Sequence, residues 1–343
     1  MQQRFLGRTG VSVSELCLGA MMFGAAGNPD HDDCVRIVHR ALDAGVNFID
    51  TADGYAAGES ETIVGKALAG GRRDDVILAT KAWMPMGEDP NQRGNSRRWI
   101  TTAVERSLRR LQTDWIDVYQ LHRLDPQTDV DEALGALSDL IHQGKIRYAG
   151  HSTVPASQIV EAQWTAERRG RERFRTEQPQ YSIFNRAIEH DVLPTCQRYG
   201  IGVLSYSPLN GGWLSGRYRK GGDNPGPGSA ARARLFPDRY DLSLPVNQRK
   251  LEAADALAAL AEEAGLTLVQ LAIAFVTRHP AVTSAIIGPR TLDHLESQLA
   301  AADVVLPDDV LDRIDAIVAP GAIVDPADDM SFNPALTPAA RRR

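Results

Sequence analysis

Asp50, Tyr55, Lys81 and His122 are the residues whose types and positions could do chemistry together. A carboxylate, a phenol, an ammonium and an imidazole are the parts of a proton-transfer site. The phenol carries the proton, a neighbouring ammonium favours its release, the carboxylate braces the ammonium, and the imidazole orients a substrate oxygen or relays a proton. Each residue stands at or just past the end of a short apolar run, and the runs are consecutive. Asp50 follows Phe48-Ile49, Tyr55 lies five residues on, Lys81 ends Ile77-Leu78-Ala79-Thr80, and His122 closes Val118-Tyr119-Gln120-Leu121. Singly, each has a bland reading: a carboxylate capping a turn, a packed tyrosine, a structural ion pair, a core histidine.

Lysine sharpens the case. The chain has only Lys66, Lys81, Lys145, Lys220 and Lys250 among 38 basic residues. A lysine ending an apolar run needs a partner, and Asp50 on the preceding run is the natural one.

The elements that must position these groups read as eight strands: Leu16–Ala20, Asn47–Ala52, Val76–Lys81, Ile116–His122, Ile146–Ser152, Phe174–Gln178, Ile201–Pro208 and Thr283–Gly288. Segments of helical periodicity lie between them, such as Asp32–Ala44 and Asp131–Ile141, and several stop at a glycine: Gly45, Gly144 and Gly200. Strands alternating with helices imply parallel pairing, and near-continuous apolar runs imply burial on both faces. Eight such units predict a (β/α)8 TIM barrel, whose active groups gather at the carboxyl ends of the strands. A doubly wound open sheet is the alternative architecture.

Three segments stand outside the eightfold pattern. Arg4–Leu6 and Val11–Val13 read as an N-terminal hairpin capping the barrel bottom. Asn210–Pro245, rich in Gly, Pro and Arg, is a long loop after strand seven, read as a lid or a disordered stretch. Residues 1–319 are expected to form one barrel domain, with 320–343 as a tail over the surface or partly disordered.

Bulk chemistry narrows the function. Net charge is −6 with acidic and basic residues interspersed, which does not suggest a nucleic-acid footprint. Cys17, Cys34 and Cys196 are far apart and odd in number, arguing against a disulfide framework or a thiolate metal site and for a reducing compartment. The start lacks a secretory apolar segment, and no apolar stretch approaches the roughly 20 residues of a membrane span. A soluble cytoplasmic protein is expected, with no metal; oligomeric state is not legible.

The chain resembles the aldo-keto reductases over nearly its whole length. The resemblance rests on Gly45-Val46-Asn47-Phe48-Ile49-Asp50-Thr51-Ala52-Asp53-Gly54-Tyr55, Gly58-Glu59-Ser60-Glu61, Ala79-Thr80-Lys81, Ile116 to His122, Gly144-Lys145-Ile146-Arg147-Tyr148, Gln178-Pro179-Gln180-Tyr181-Ser182 and Tyr206-Ser207-Pro208-Leu209. It implies a TIM barrel that reduces an aldehyde or ketone with NAD(P)H, with Tyr55 as proton donor and Asp50, Lys81 and His122 completing a tetrad. The branch resembled includes potassium-channel β-subunit-like reductases and deoxysugar tailoring enzymes. Two further readings follow: a reductase of nucleotide-linked sugars or natural-product intermediates, and an NADPH-binding redox-sensing subunit with slow turnover.

For the coenzyme, the G-x-G-x-x-G fingerprint is missing where a Rossmann unit needs it; Gly200-Ile201-Gly202 opens a strand instead of following one. In barrels, phosphates commonly bind at the loops after strands seven and eight, here Ser207–Gly216 and Gly288–Asp293. Ser207, Leu209, Asn210 and Gly212 belong to a loop whose small residues let backbone amides approach a pyrophosphate. Arg290 directly precedes Thr291, which looks like an N-cap, and an arginine at a helix start opposes the helix dipole unless an anion is bound. In the family this position meets the adenosine 2′-phosphate, so the resemblance implies NADPH. It also implies Ser152 and Gln178 on the nicotinamide carboxamide, Tyr206 stacked on its ring, Arg217 near the pyrophosphate, and His294 and Gln298 near the adenosine. Family members commonly have Ser-Asn where this chain has Ser152-Thr153, and Glu-Asn where it has Ser297-Gln298. Met21, Phe23, Trp83, Met84 and Phe332 are expected pocket walls, and Arg123 either binds an acidic group or is a solvated rim charge.

Overall fold

The computed structural model describes residues 1–226, 233, 234 and 236–330. Strands β1 (Gln3–Phe5) and β2 (Ser12–Ser14) form an antiparallel hairpin. Strands β3 (Leu16–Gly19), β4 (Phe48–Asp50), β5 (Ile77–Ala82), β6 (Ile116–Leu121), β7 (Ile146–Ser152), β8 (Thr176–Gln178), β9 (Gly202–Ser205) and β10 (Val282–Ile287) close a parallel eight-stranded barrel in sequence order, with β10 against β3. The TIM barrel is thus the observed fold. Most observed strands are shorter than the apolar runs; β9 ends at Ser205, and Tyr206 joins Gln180 through an isolated bridge.

The outer layer comprises α1 (His31–Asp43), α2 (Glu59–Leu68), α3 (Arg97–Leu111), α4 (Val130–His142), α5 (Ala156–Arg169), α6 (Val192–Tyr199), α7 (Pro245–Glu263), α8 (Leu268–Arg278), α9 (Leu292–Leu299) and α10 (Asp308–Ile317). Their starts follow local chemistry: Asp30, Ser96, Asp129 and Thr267 each cap an N-terminus with a side-chain acceptor, and Thr267 with Gln270 completes a capping box. Gly45, Gly144 and Gly200 stop helices with positive φ, as their positions predict.

Side-chain alternation along each strand divides the interior into two cores. Leu18, Ile49, Leu78, Tyr119 and Ala149 face outward into the layer shared with the helices. Cys17, Phe48, Ala79, Val118, Leu204 and Ile286 face inward and form a plug with Leu6 and Val13 of the hairpin. Leu6 is fully buried, worth about 1.5–3 kcal/mol, and Arg4 donates to the Thr277 and Val282 carbonyls, so the hairpin closes the bottom as expected. Above the plug the same alternation continues into polar residues, Asp50, Lys81 and Gln120. Gly150 makes room for Gln120 and its partner Thr176: a Cβ there would stand 2.0 Å from Thr176 Oγ1 and 3.0 Å from Gln120 Cγ.

The segment 210–245 is not one open loop in its described parts. Asn210–Gly212 and Pro237–Arg239 form 3-10 turns, and α7 begins at Pro245; residues 227–232 and 235 lie outside the described residues. The described part of the tail, 320–330, packs on the barrel: Val324 N–H donates to the Phe184 carbonyl and Arg186 N–H to that of Ala322. No single helix among the described residues is long and apolar enough to cross a membrane, and they hold no cluster of three metal-binding side chains.

Candidate active site

Asp50 and Lys81 end neighbouring strands at inward positions, and the barrel brings them together. The Lys81 ammonium, fully buried, donates to Asp50 Oδ2 and to the Thr51 carbonyl, 2.6 and 2.7 Å away. The other Asp50 oxygen accepts from Gln178 Nε2 at 2.8 Å and from Gln120 Nε2 at 3.4 Å. Gln120 in turn accepts from Thr176 Oγ1. Asp50 is therefore held by donors from three other strands.

Tyr55 opens a 3-10 turn, Tyr55–Gly58, in which Ala56 and Ala57 have φ of 45° and 54°. Non-glycine residues in that region cost of order 1–3 kcal/mol each and persist where surroundings over-determine them. The turn brings the Tyr55 ring to the buried cation: Lys81 Nζ lies 4.9 Å from the ring centroid. His122, whose N–H donates to the Ala82 carbonyl, packs edge-on against Tyr55 with ring centroids 5.7 Å apart. All four tetrad candidates therefore meet on one rim. Tyr55 and His122 stay partly exposed there while Asp50 and Lys81 are buried.

Lys81 favours release of the Tyr55 proton, as expected, but burial, which the sequence does not show, works the other way. Burial pushes the Tyr55 phenol above its ordinary value, and the Lys81 charge opposes that push without overturning it. The phenol thus stays protonated, the form that donates. Burial also pulls Lys81 down, but Asp50 and Tyr55 outweigh it and the ammonium is kept. Burial, with the charges of Lys81 and Arg123, holds His122 well below its ordinary value. Its imidazole is neutral, and its Nδ1 has no hydrogen-bond partner among the described residues.

The expected coenzyme residues lie on the same rim. Ser152 Oγ donates to the Gln178 carbonyl at 2.9 Å and accepts from Arg123, whose guanidinium also reaches the His122 carbonyl and Thr153 Oγ1. Arg123 is therefore tied into the rim rather than solvated. Gln178 directs its amide nitrogen to Asp50, a contact the sequence reading did not include. Tyr206 OH lies 3.3 Å from Thr153 Oγ1. Ser207, half-buried, and Asn210 have φ of 58° and 45°, Leu209 packs against the outer core, and a Cβ on Gly212 would meet Arg217. Gly288 is exposed, with open space where a Cβ would stand.

Thr291 caps α9 by accepting from His294 N–H, as expected. Burial first, then the charges of Arg290 and Arg217 from two different loops, hold His294 below its ordinary value, so two guanidiniums bear on one neutral imidazole. Neither arginine has a carboxylate partner among the described residues. Gln298 is buried, and its Oε1 is unpartnered there. Unpaired guanidiniums beside a strained, glycine-rich loop and an orphaned buried amide suit a phosphorylated dinucleotide.

Some expectations fail. Phe23 is fully buried in the outer core and lines no open surface; Phe332 lies outside the described residues. Met84, partly exposed, packs over Gly54 beside Tyr55. The sequence reading missed Gln120, although it has the inward parity of Val118 and His122. It also missed Asp53, which is buried with neither carboxylate oxygen partnered among the described residues. Burial, then the nearby Glu61, pushes Asp53 up to about 7.

Comparison with known proteins gives the family. The family model described as "Aldo/keto reductase family" matches residues 15–319. The chain is 38% identical to "Uncharacterized oxidoreductase YrpG" of Bacillus subtilis (strain 168), over 92% of this chain and 96% of that one. It is 37% identical to a "Probable voltage-gated potassium channel subunit beta" of Oryza sativa subsp. japonica, over 93% and 97%. It is 33% identical to "Norsolorinic acid reductase B" of Dothistroma septosporum, over 89% and 78%. The chain, an NAD(P)H-dependent oxidoreductase, belongs to the aldo/keto reductase family.

Proposed function

We propose that the protein uses NADPH to reduce an aldehyde or ketone to an alcohol, with Tyr55 as the proton donor. The observation that carries this reading is the neutral phenol held over a buried Lys81–Asp50 pair beside a neutral His122. The coenzyme, when bound, supplies the hydride. Arg290 would hold its 2′-phosphate, Arg217 and the 207–212 turn its pyrophosphate, His294 and Gln298 its adenosine, and Ser152, Gln178 and Tyr206 its nicotinamide end.

Tyr55 gives its proton to the carbonyl oxygen as negative charge builds there. The Lys81 ammonium, fixed by Asp50 and the Thr51 carbonyl, then faces the phenolate and stabilises it. His122, kept neutral, donates one hydrogen bond to the substrate oxygen and so fixes its direction toward Tyr55 without competing for the proton. Met84 packs over Gly54 beside Tyr55 and Trp83 directly follows β5; an apolar or aromatic carbonyl compound would suit them.

A second reading, a regulatory subunit that binds NADPH and turns over slowly, draws support from the relatives named as channel β subunits. One experiment separates the two: NADPH oxidation with a panel of aldehydes, ketones and a nucleotide-linked keto-sugar, for wild type and Tyr55→Phe. The reductase reading expects the variant to lose about 10²–10⁴ in rate while still binding NADPH. Equal rates for the two proteins with tight NADPH binding would leave the regulatory reading standing.

A further inference from the structure

Lys250 of α7 has none of its side chain exposed. Its ammonium donates to Asp325 Oδ2 at 2.9 Å, to Asp328 Oδ2 at 3.1 Å and to the Arg239 carbonyl at 3.1 Å, which uses all three of its N–H groups. It also lies 4.9 Å from the Trp213 ring centroid. Both aspartates are buried, on the segment that follows α10. Replacing a buried ionic network with apolar groups is often neutral for stability, so its presence here points to the geometry it imposes.

That geometry leads to the coenzyme loop. Asp328 Oδ2, besides receiving Lys250, accepts from Asn210 Nδ2 at 3.1 Å. Asn210 is one of a run of left-handed residues, with φ of 45°, 69° and 103° at Asn210, Gly211 and Gly212, after φ of 58° at Ser207. Two non-glycine residues in that region need neighbours that leave them no alternative. Asp328 holds one end of the Asn210 amide, Gln180 approaches the other at 3.5 Å, and Tyr240 OH donates to the Gly211 carbonyl. Trp213, stacked with Tyr218 and with Tyr240, ties the exit of the turn to the same unit.

We propose that Lys250, Asp325 and Asp328 form a brace that holds Asn210 and the turn 207–212 in the shape that receives the coenzyme pyrophosphate, so that docking of the C-terminal segment and coenzyme binding are linked. The three are positioning residues acting through Asn210. The role assigned to the turn rests on the coenzyme reading given above. Linkage of this kind is reciprocal: whatever loosens the segment weakens the coenzyme, and bound coenzyme tightens the segment by the same factor.

The test is hydrogen exchange and coenzyme titration on full-length wild type, Asp328→Asn and Lys250→Met. Asp328→Asn keeps shape and removes charge, so it serves if Lys250→Met folds poorly. Without coenzyme, amides of 207–214 should exchange faster in Asp328→Asn than in wild type; unchanged exchange there overturns the brace. With NADPH, the dissociation constant should rise roughly tenfold, within the usual range of coupling between sites. The coenzyme KM should rise with it while kcat and the carbonyl-substrate KM move far less. Wild-type amides of 320–330 should be protected by NADPH. Faster exchange with an unchanged NADPH dissociation constant overturns the link to coenzyme. A wild type that binds no dinucleotide overturns the coenzyme reading and the link with it, while the exchange experiment still decides the brace.

Discussion

Lys81 and Asp50, on adjacent strands, hold each other at 2.6 Å in a pocket where neither is appreciably exposed. Breaking a buried pair by removing one partner costs about 3–5 kcal/mol, because the other charge is stranded. Lys81→Met should therefore lose that much stability and, separately, most of its activity. The double variant Lys81→Met/Asp50→Asn removes both charges and should regain much of the stability without regaining the rate. Urea midpoints and turnover on the three proteins check this; a double variant that recovers activity would mean that the pair is only structural.

His122 is held neutral by burial and by the charges of Lys81 and Arg123, with its pKa well below 6.5. The reductive kcat/KM should therefore show no limb near pH 6.5 from this residue. Loss of rate belongs on the alkaline side, above 10, where Tyr55 gives up its proton. A limb between pH 5.5 and 7 that disappears in His122→Asn would contradict a neutral imidazole.

Asp53 titrates near 7 in the folded protein against 3.8 in the unfolded chain, chiefly because it is buried. The folded state holds the proton more tightly. The group's favourable contribution is complete below pH 3.8 and is lost as pH rises through about 7. At about 1.4 kcal/mol per pH unit the ceiling is about 4 kcal/mol. Asp53→Asn should be more stable than wild type at pH 8, with the gap closing toward pH 4. A gap independent of pH in denaturant titrations would show that Asp53 does not ionise in this range.

The charges of Arg290 and Arg217 both bear on the neutral His294, and the Arg290 carbonyl accepts from Asn28 Nδ2 at 2.8 Å. Arg290→Ala should weaken NADPH by about tenfold or more, the weight of a bidentate charge-assisted contact, and leave NADH nearly unchanged. Equal weakening of the two dinucleotides, measured by fluorescence titration, would place the 2′-phosphate elsewhere.

What the sequence determined by itself is what short-range periodicity encodes. Alternation along three consecutive strands puts Asp50, Lys81 and His122 on the inward face, and the strand-helix alternation closes the barrel that gathers them. Thr291 before α9 and the glycines after α1, α4 and α6 were legible for the same reason: caps and stops depend on one or two neighbouring residues. Tertiary structure decided everything that depends on which distant groups share space and how much water they lose. Gln120 and Gln178 turn onto Asp50, the latter from 128 residues away, only because the barrel closes. Lys250 meets Asp328 across 78 residues because the C-terminal segment folds back over the rim. The direction of the Tyr55 shift belongs to this class too, since desolvation and the Lys81 charge pull oppositely and only the depth of burial sets which prevails.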